Sequence, residues 1–454
     1  MALFPEGSGL FGCKMLRSTM FKASFKLISP LRVDCLLQPG VEFREPRETH
    51  KFWGAIAEKF GAELMRQPPD KEGLQYESAH SINLDNDISI LESDLDVPKG
   101  YAPNGDPRID VEGVRWHLCD FGIMLVVTRL TVQIDGRAAS EIEKEVQKAA
   151  ARVNSELIAE TYANLREMIQ AEERHSNFVS FDSAPEIEHA WASRALIINP
   201  DTTEYATERK RFAVDWMSSN QDSEKIVEKL LNRELLHYAD WMNYVYVEET
   251  PSNAIRLQEM RKALLRAQFY YAAMERIDSK LMSILAWAMS QSSEISTAKL
   301  REQLRIEMDF AEALFLKKSE VGKFVNPSSR IETERILSVW DVDDVLANPV
   351  RMKLEICQTR LDNMESDRAR SASFFTDLIL MVIGVTSILG TALAVVSLGR
   401  SASADPDQTV YDFGAGDLTT WISTQPIDVI ILISTIISVL MVAGFIVARR
   451  RSEV

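Results

Sequence analysis

Hydrophobic and polar positions follow three regimes along this chain. In the first third the apolar residues come in short β-branched runs, and 31–37, 114–118 and 123–134 read as strands. Between them 49–66 spaces its apolar residues as an amphipathic helix does. Ser140 with Glu143 three residues on has the capping-box pattern, and a helix is expected to about 173. Runs at 195–198 and 212–216 read again as strands. From Asp222 the pattern is helical throughout: 223–248, 252–290 and 296–323, broken at Pro251, after Met289 and at Asn326-Pro327.

The last regime begins at Pro349, which suits the first turn of a helix. Val350, Leu354, Cys357, Leu361 and Met364 recur four and three apart, a heptad seam that needs either the preceding helices or copies of itself to pack on. Two long apolar runs follow, 374–398 and 427–448. A bilayer core is crossed by about 20 apolar residues, so both runs are expected to be transmembrane helices. Arg360, Arg368 and Arg370 precede the first, and Arg449, Arg450 and Arg451 follow the second, which predicts cytoplasmic termini. The loop between them holds Asp405, Asp407, Asp412 and Asp417 against Arg400 alone.

The fold class expected is therefore an α+β membrane protein. Its parts are a cytoplasmic α/β domain (1–220), a cytoplasmic long-helix region (221–348), and a stalk helix continuing into the first membrane helix (349–398). An outer acidic loop (399–426), a second membrane helix (427–448) and a basic tail (449–454) complete it. The location expected is integral and two-pass, with a bacterial inner membrane favoured.

Along the first apolar run Asp377, Gly384, Ser387, Thr391 and Ala394 keep one face small or polar. Such a stripe serves close helix packing, or lines a pore when several copies surround an axis. The second run presents mainly Ile, Val and Leu.

Taken as a layout, these features resemble the CorA-like divalent-cation transporter superfamily. The resemblance implies a homopentamer in a lipid bilayer, gated by its cytoplasmic domain, with magnesium or another divalent cation as substrate or regulator. It also implies that Asp377, Gly384, Ser387, Thr391 and Ala394 line the path and that the four loop aspartates attract cations. Members end the first membrane helix with Gly-Met-Asn; here the stretch reads Val396-Ser397-Leu398-Gly399-Arg400-Ser401. Divergent relatives act as signal-gated membrane effectors, so the alternative is an anchored sensor that receives a small-molecule or nucleotide signal.

Composition adds limits. Across 454 residues the net charge is -16, which disfavours nucleic acid as a partner. The stretch between Glu6 and Asp34 is the exception, with Lys14, Arg17, Lys22 and Lys26 and no acid. It echoes a transit peptide but reads better as an N-terminal strand region. Four cysteines form no C-x-x-C pair, and no histidine has another three or four residues away. No P-loop, G-x-G-x-x-G or G-x-S-x-G occurs, so no enzyme is expected. Acidic clusters at Asp85, Asp87, Asp94 and Asp96, and at Asp341, Asp343 and Asp344, are the candidates for a regulatory cation site. The aromatic-rich segment from His237 to Tyr271 reads as a buried seam between long helices rather than a ligand box.

Overall fold

The computed structural model describes residues 20–38, 41, 45–65, 88–181, 188–189, 191–217, 222–241, 243–289, 297–321, 326–403, 417, 421 and 424–452, with side chains at only part of the positions beyond 363. It divides into two units, Met1–Gln358 and Thr359–Val454.

In chain order the first unit runs β1 (Phe21–Arg32), β2 (Cys35–Leu37), α1 (Pro46–Phe60), β3 (Glu63–Leu64), β4 (Ser89–Leu95), β5 (Ile109–Cys119) and β6 (Ile123–Ile134). Next come α2 (Ala139–Val153), α3 (Ala159–Ala171), α4 (His175–Phe178), β7 (Val179–Phe181), β8 (Glu188–His189) and β9 (Ser193–Ile198). Then follow α5 (Ala206–Trp216), α6 (Ser223–Leu231), β10 (His237–Ala239) and β11 (Asn243–Val247). The long helices are α7 (Ala254–Met289), α8 (Thr297–Val321), α9 (Pro327–Val339) and α10 (Asn348–Ser403), and α11 (Ile427–Ser452) closes the chain.

Among the described residues nine strands form one sheet in the order β10-β11-β9-β1-β6-β5-β4-β3, with β8 also on β1; β2 and β7 make a separate ribbon. β9 and β11 run parallel, joined through α5 and α6, and the other pairs are antiparallel. Pro30 lacks a ladder N–H, and it falls where the pairing of β1 passes from β9, ending at Ile28, to β8, starting at Leu31.

Successive side chains of a strand point to opposite faces, and β6 shows what each face meets. Met124, Val126, Leu130, Val132 and Ile134 enter one core with Phe25 and Leu27 of β1 and residues of α1, α2, α3, α5 and α6. Ile123, Leu125 and Val127 enter a second core with Leu264, Ala267 and Phe269 of α7, Phe310 and Leu314 of α8, and Ile336 of α9. Helices thus cover both faces at the Ile123 end, where the sequence is an unbroken apolar run. Toward Ile134 the second face carries Arg129, Thr131 and Gln133, none fully buried, and the sequence alternates. The change from run to alternation inside one strand marks the edge of the second helical layer.

The β5–β6 turn fixes that layer. Phe121 and Gly122 both have left-handed backbones, φ 58° and 64°, the two-residue hairpin geometry that matches strand twist. Phe121 packs on Phe269 and Phe310, with ring centroids 6.1 Å apart in each case. Beside it the buried Lys317 of α8 pairs with the buried Asp120.

The first three residues of the heptad seam at the start of α10 pack within the first unit. Val350 and Cys357 are buried and Leu354 packs against them in the second core, and Lys353 pairs with Asp278 of α7 at 2.5 Å. Pro349 stands in the first turn of α10, as expected.

Three expectations fail locally. Residues 237–247 hold two strands, because Tyr244 and Tyr246 alternate with Val245 and Val247 between the two cores. Residues 206–216 are helical, with Phe212, Ala213 and Trp216 buried. Ser140 does not cap α2; the helix starts one residue earlier and the Asp215 carboxylate accepts the Ala139 N–H at 2.8 Å.

The membrane expectation is corrected as well. Among the described residues no helix is long and apolar enough to cross a membrane. On that finding the two transmembrane helices at 374–398 and 427–448, the integral two-pass location with cytoplasmic termini, and the membrane-protein fold class are not upheld. The described fold is α+β, with a mixed sheet between helical layers. Within the second unit Ile431, Leu432, Ile436, Val439 and Leu440 of α11 are exposed, while Ser434 and Ser438 are buried.

Candidate functional site

The second sheet face can be laid out row by row from the strand registers. One row reads Tyr244 (β11), Ala195 (β9), Lys26 (β1), Arg129 (β6) and Gly113 (β5). Its neighbour toward the open end reads Tyr246, Ile197, Ser24, Thr131 and Asp110. Toward the covered end stand Ser193, Ile28, Val127 and Arg115.

α7 lies over this face. Near its start Arg261 stacks on the Tyr246 ring at 5.6 Å and pairs with Glu249. In its middle Gln268 donates to the Ser193 hydroxyl, and Tyr271 meets Trp340 edge-on at 5.7 Å. Further on Asp278 takes Lys353 of α10. Trp340 also meets Tyr244 and Trp191 edge-on, at 6.4 and 6.3 Å. The aromatic-rich segment is thus a buried cluster between β11, α7 and the end of α9, rather than a seam between two helices.

Trp340 precedes Asp341, whose backbone is left-handed at φ 54°. One π-type turn, Asp343–Ala347, then leads into α10. The junction is braced by His237 of β10, 2.8 Å from Glu332 of α9, which also takes Arg335 at 2.6 Å. Burial pushes the Glu332 carboxyl up, but the hydrogen bonds and charges of His237 and Arg335 outweigh it and hold the group at about 2. A carboxyl lowered by folding stabilises the fold above its unfolded value of about 4.5, and that contribution is lost as pH falls through the folded value. Between about pH 4.5 and about pH 2 the protein is therefore expected to lose melting temperature faster than Glu332→Gln does. Parallel thermal melts across that window check this; curves that coincide would show that the brace adds nothing.

A second buried cluster lies where β4 meets β5. His117 Nδ1 is 2.9 Å from Glu92 and 3.3 Å from the Ser89 hydroxyl, and Arg115 reaches Glu92 at 2.5 Å. A serine relay needs serine and carboxylate on opposite ring nitrogens. Here both meet the same nitrogen, so the group is a polar brace and not a nucleophile. Histidine spacing along the chain could not reveal it, because the partners face each other across strands.

The residues singled out by sequence are dispersed. Asp85, Asp87, Asp405, Asp407 and Asp412 lie outside the described residues, as does the Asp377 side chain. Asp94 and Asp96 are exposed, Asp94 at 3.4 Å from Arg115. Asp341, Asp343 and Asp344 are exposed; Lys318 lies 3.3 Å from Asp343, and Asn348 donates to Asp344 at 3.1 Å. Asp417 is exposed. In α10 Ser387, Thr391 and Ala394 are exposed and Gly384 is half-buried, and Thr391 bonds back to the Ser387 carbonyl at 2.8 Å. Among the described residues no three His, Cys, Asp or Glu side chains gather to hold a metal.

Comparison with protein-family models, curated proteins and solved structures finds no match. What the geometry singles out is the half-covered second face, where α7 connects open sheet, aromatic cluster and α10. Lys26 and Arg129 stand on that face; Lys26 lies in the acid-free stretch between Glu6 and Asp34, and nothing in the local pattern marks Arg129.

Proposed function

We propose that this chain is a signal-receiving module, in which a small molecule taken up on the open half of the second sheet face alters the setting of α10. The observation that supports it is the course of α7. This one 36-residue helix borders the open face at Arg261, holds Trp340 at Tyr271, and bonds α10 at Asp278. A helix is stiff along its axis, so a shift at its first turns is felt at the later ones, and packed interfaces change between discrete arrangements rather than yielding smoothly. A binding role agrees with the other clusters, which are braces between elements. No helix among the described residues is long and apolar enough to cross a membrane, so ion conduction is not proposed.

The test uses the full chain. Thermal unfolding is followed against a library of nucleotides and phosphorylated metabolites, and each stabilising compound is then examined by amide hydrogen exchange over 343–358. A ligand that binds the native state alone at a hundred times its Kd adds about 2.7 kcal/mol, a shift well above noise. The reading expects such a ligand to change exchange at 343–358, and Asp278→Ala to remove that change while binding persists. A flat response across the library would defeat the reading.

A further inference from the structure

β1 places Lys22, Ser24 and Lys26 on the second face, and β6 places Arg129 and Thr131 beside them. Lys26 and Arg129 are directly opposed in the antiparallel register, where like charges destabilise a sheet. Among the described residues neither has a carboxylate within ion-pair distance, although the other arginines nearby do: Arg115 holds Glu92 and Arg261 holds Glu249. Arg129 is exposed, Lys26 is partly buried, and Gly113 beside Arg129 leaves open space where a side chain would stand. In a chain of net charge -16, two opposed cations without an ion-pair partner among the described residues attract an anion.

We propose that Lys26 and Arg129 form a binding site for a single phosphoryl group of a small anionic molecule. The inference rests on the proposed function for its role as the signal site, but not for binding itself. Arg129 offers a planar fork and Lys26 a point charge, the two common ways of holding a phosphoryl group. Thr131 donates to Glu112, so the Ser24 hydroxyl, 3.3 Å from that of Thr131, donates to Thr131 and leaves the anion to the two cations. Asp110 and Glu112 border the patch on β5. They confine it to one phosphoryl group and exclude the extended polyanion of a nucleic acid.

Lys26 is also tuned. Burial, then the charges of Arg261 and Arg129, lower its ammonium to about 7 against the opposing pull of Glu249, with Arg115 a further lowering influence. Below that value the patch carries both positive charges, and above it only Arg129 stays charged. Sulfate keeps its charge from about pH 6 to about pH 8, so its affinity is expected to fall as pH rises through 7, reporting Lys26 alone.

Isothermal titration of the full chain at low salt with inorganic phosphate, sulfate and adenosine monophosphate, and flotation with vesicles containing phosphatidic acid, tests the site. Binding of the free anions is expected, weakened about tenfold or more by Arg129→Gln and by Lys26→Gln. Arg129 is exposed, so its variant keeps the fold, and a melting curve verifies this for both. Absence of binding, or an affinity in both variants unchanged from that of the parent chain, would overturn the site. Binding to the vesicles without binding of free anions would overturn the small-molecule assignment in favour of a lipid headgroup. Phosphate binding that the variants weaken, with no change of hydrogen exchange at 343–358, would keep the site and remove the relay.

Discussion

Gly122→Val is expected to cost about 3 kcal/mol or more of folding stability, the sum of a left-handed backbone imposed on a β-branched residue and a steric conflict in a packed turn. A Cβ on Gly122 would stand 2.7 Å from the Val33 carbonyl oxygen and 2.9 Å from the Leu36 side chain. The backbone oxygen cannot move aside, because Val33 donates its own N–H to the Gly122 carbonyl at 2.9 Å. Gly136 is the control, with φ 82° and nothing within 4 Å of its ideal Cβ. Its alanine variant carries the conformational cost alone, about 1 kcal/mol. Denaturant unfolding of both separates the two contributions, and equal losses would show that the close approach to Val33 is not maintained in solution. The turn also carries Phe121 into the second core and Asp120 to Lys317, so α8 is expected to loosen with it.

Trp340→Ala is expected to be comparably severe, about 3 to 5 kcal/mol. The indole is fully buried and three aromatic rings meet it edge-on, so truncation leaves a cavity that rings on separate elements cannot close. Trp340→Phe keeps part of that packing and is expected to lose less than half as much. The two variants also bear on the relay. If Trp340 couples α7 to the turn before α10, Trp340→Ala raises hydrogen exchange at 343–358 beyond what its global destabilisation explains, and Trp340→Phe does so less. Uniform changes along the chain would make Trp340 a core residue and nothing more.

Much of the architecture was legible before any coordinates. Residues 123–134 form a strand over the range read from their apolar run, and the helices at 252–290 and 296–323 lie within two residues of α7 and α8. The first is a long β-branched run, and the two helices are long stretches of strong helix formers bounded by breaks, so local preference and burial agree. Residues 212–216 and 237–247 were misread because both are short and rich in aromatics, where periodicity cannot separate helix from strand. The apolar runs at 374–398 and 427–448 met the length criterion for a membrane, yet no helix among the described residues does so.

Sequence by itself determined which segments are periodic, where Pro349 starts α10, that positions 350–357 carry a packing seam, and that the stretch before Asp34 is free of acid. These follow from local backbone preference and from counting, and neither depends on what a residue touches. Only the tertiary structure decided that Val350, Leu354 and Cys357 of the seam enter the second core, that Asp215 caps α2, and that His117 meets Glu92 across strands. It alone set Lys26 opposite Arg129. A strand register joins residues a hundred positions apart, and a one-residue slip would send every side chain to the other face; that pairing is carried by the packing of two cores, which no local pattern encodes.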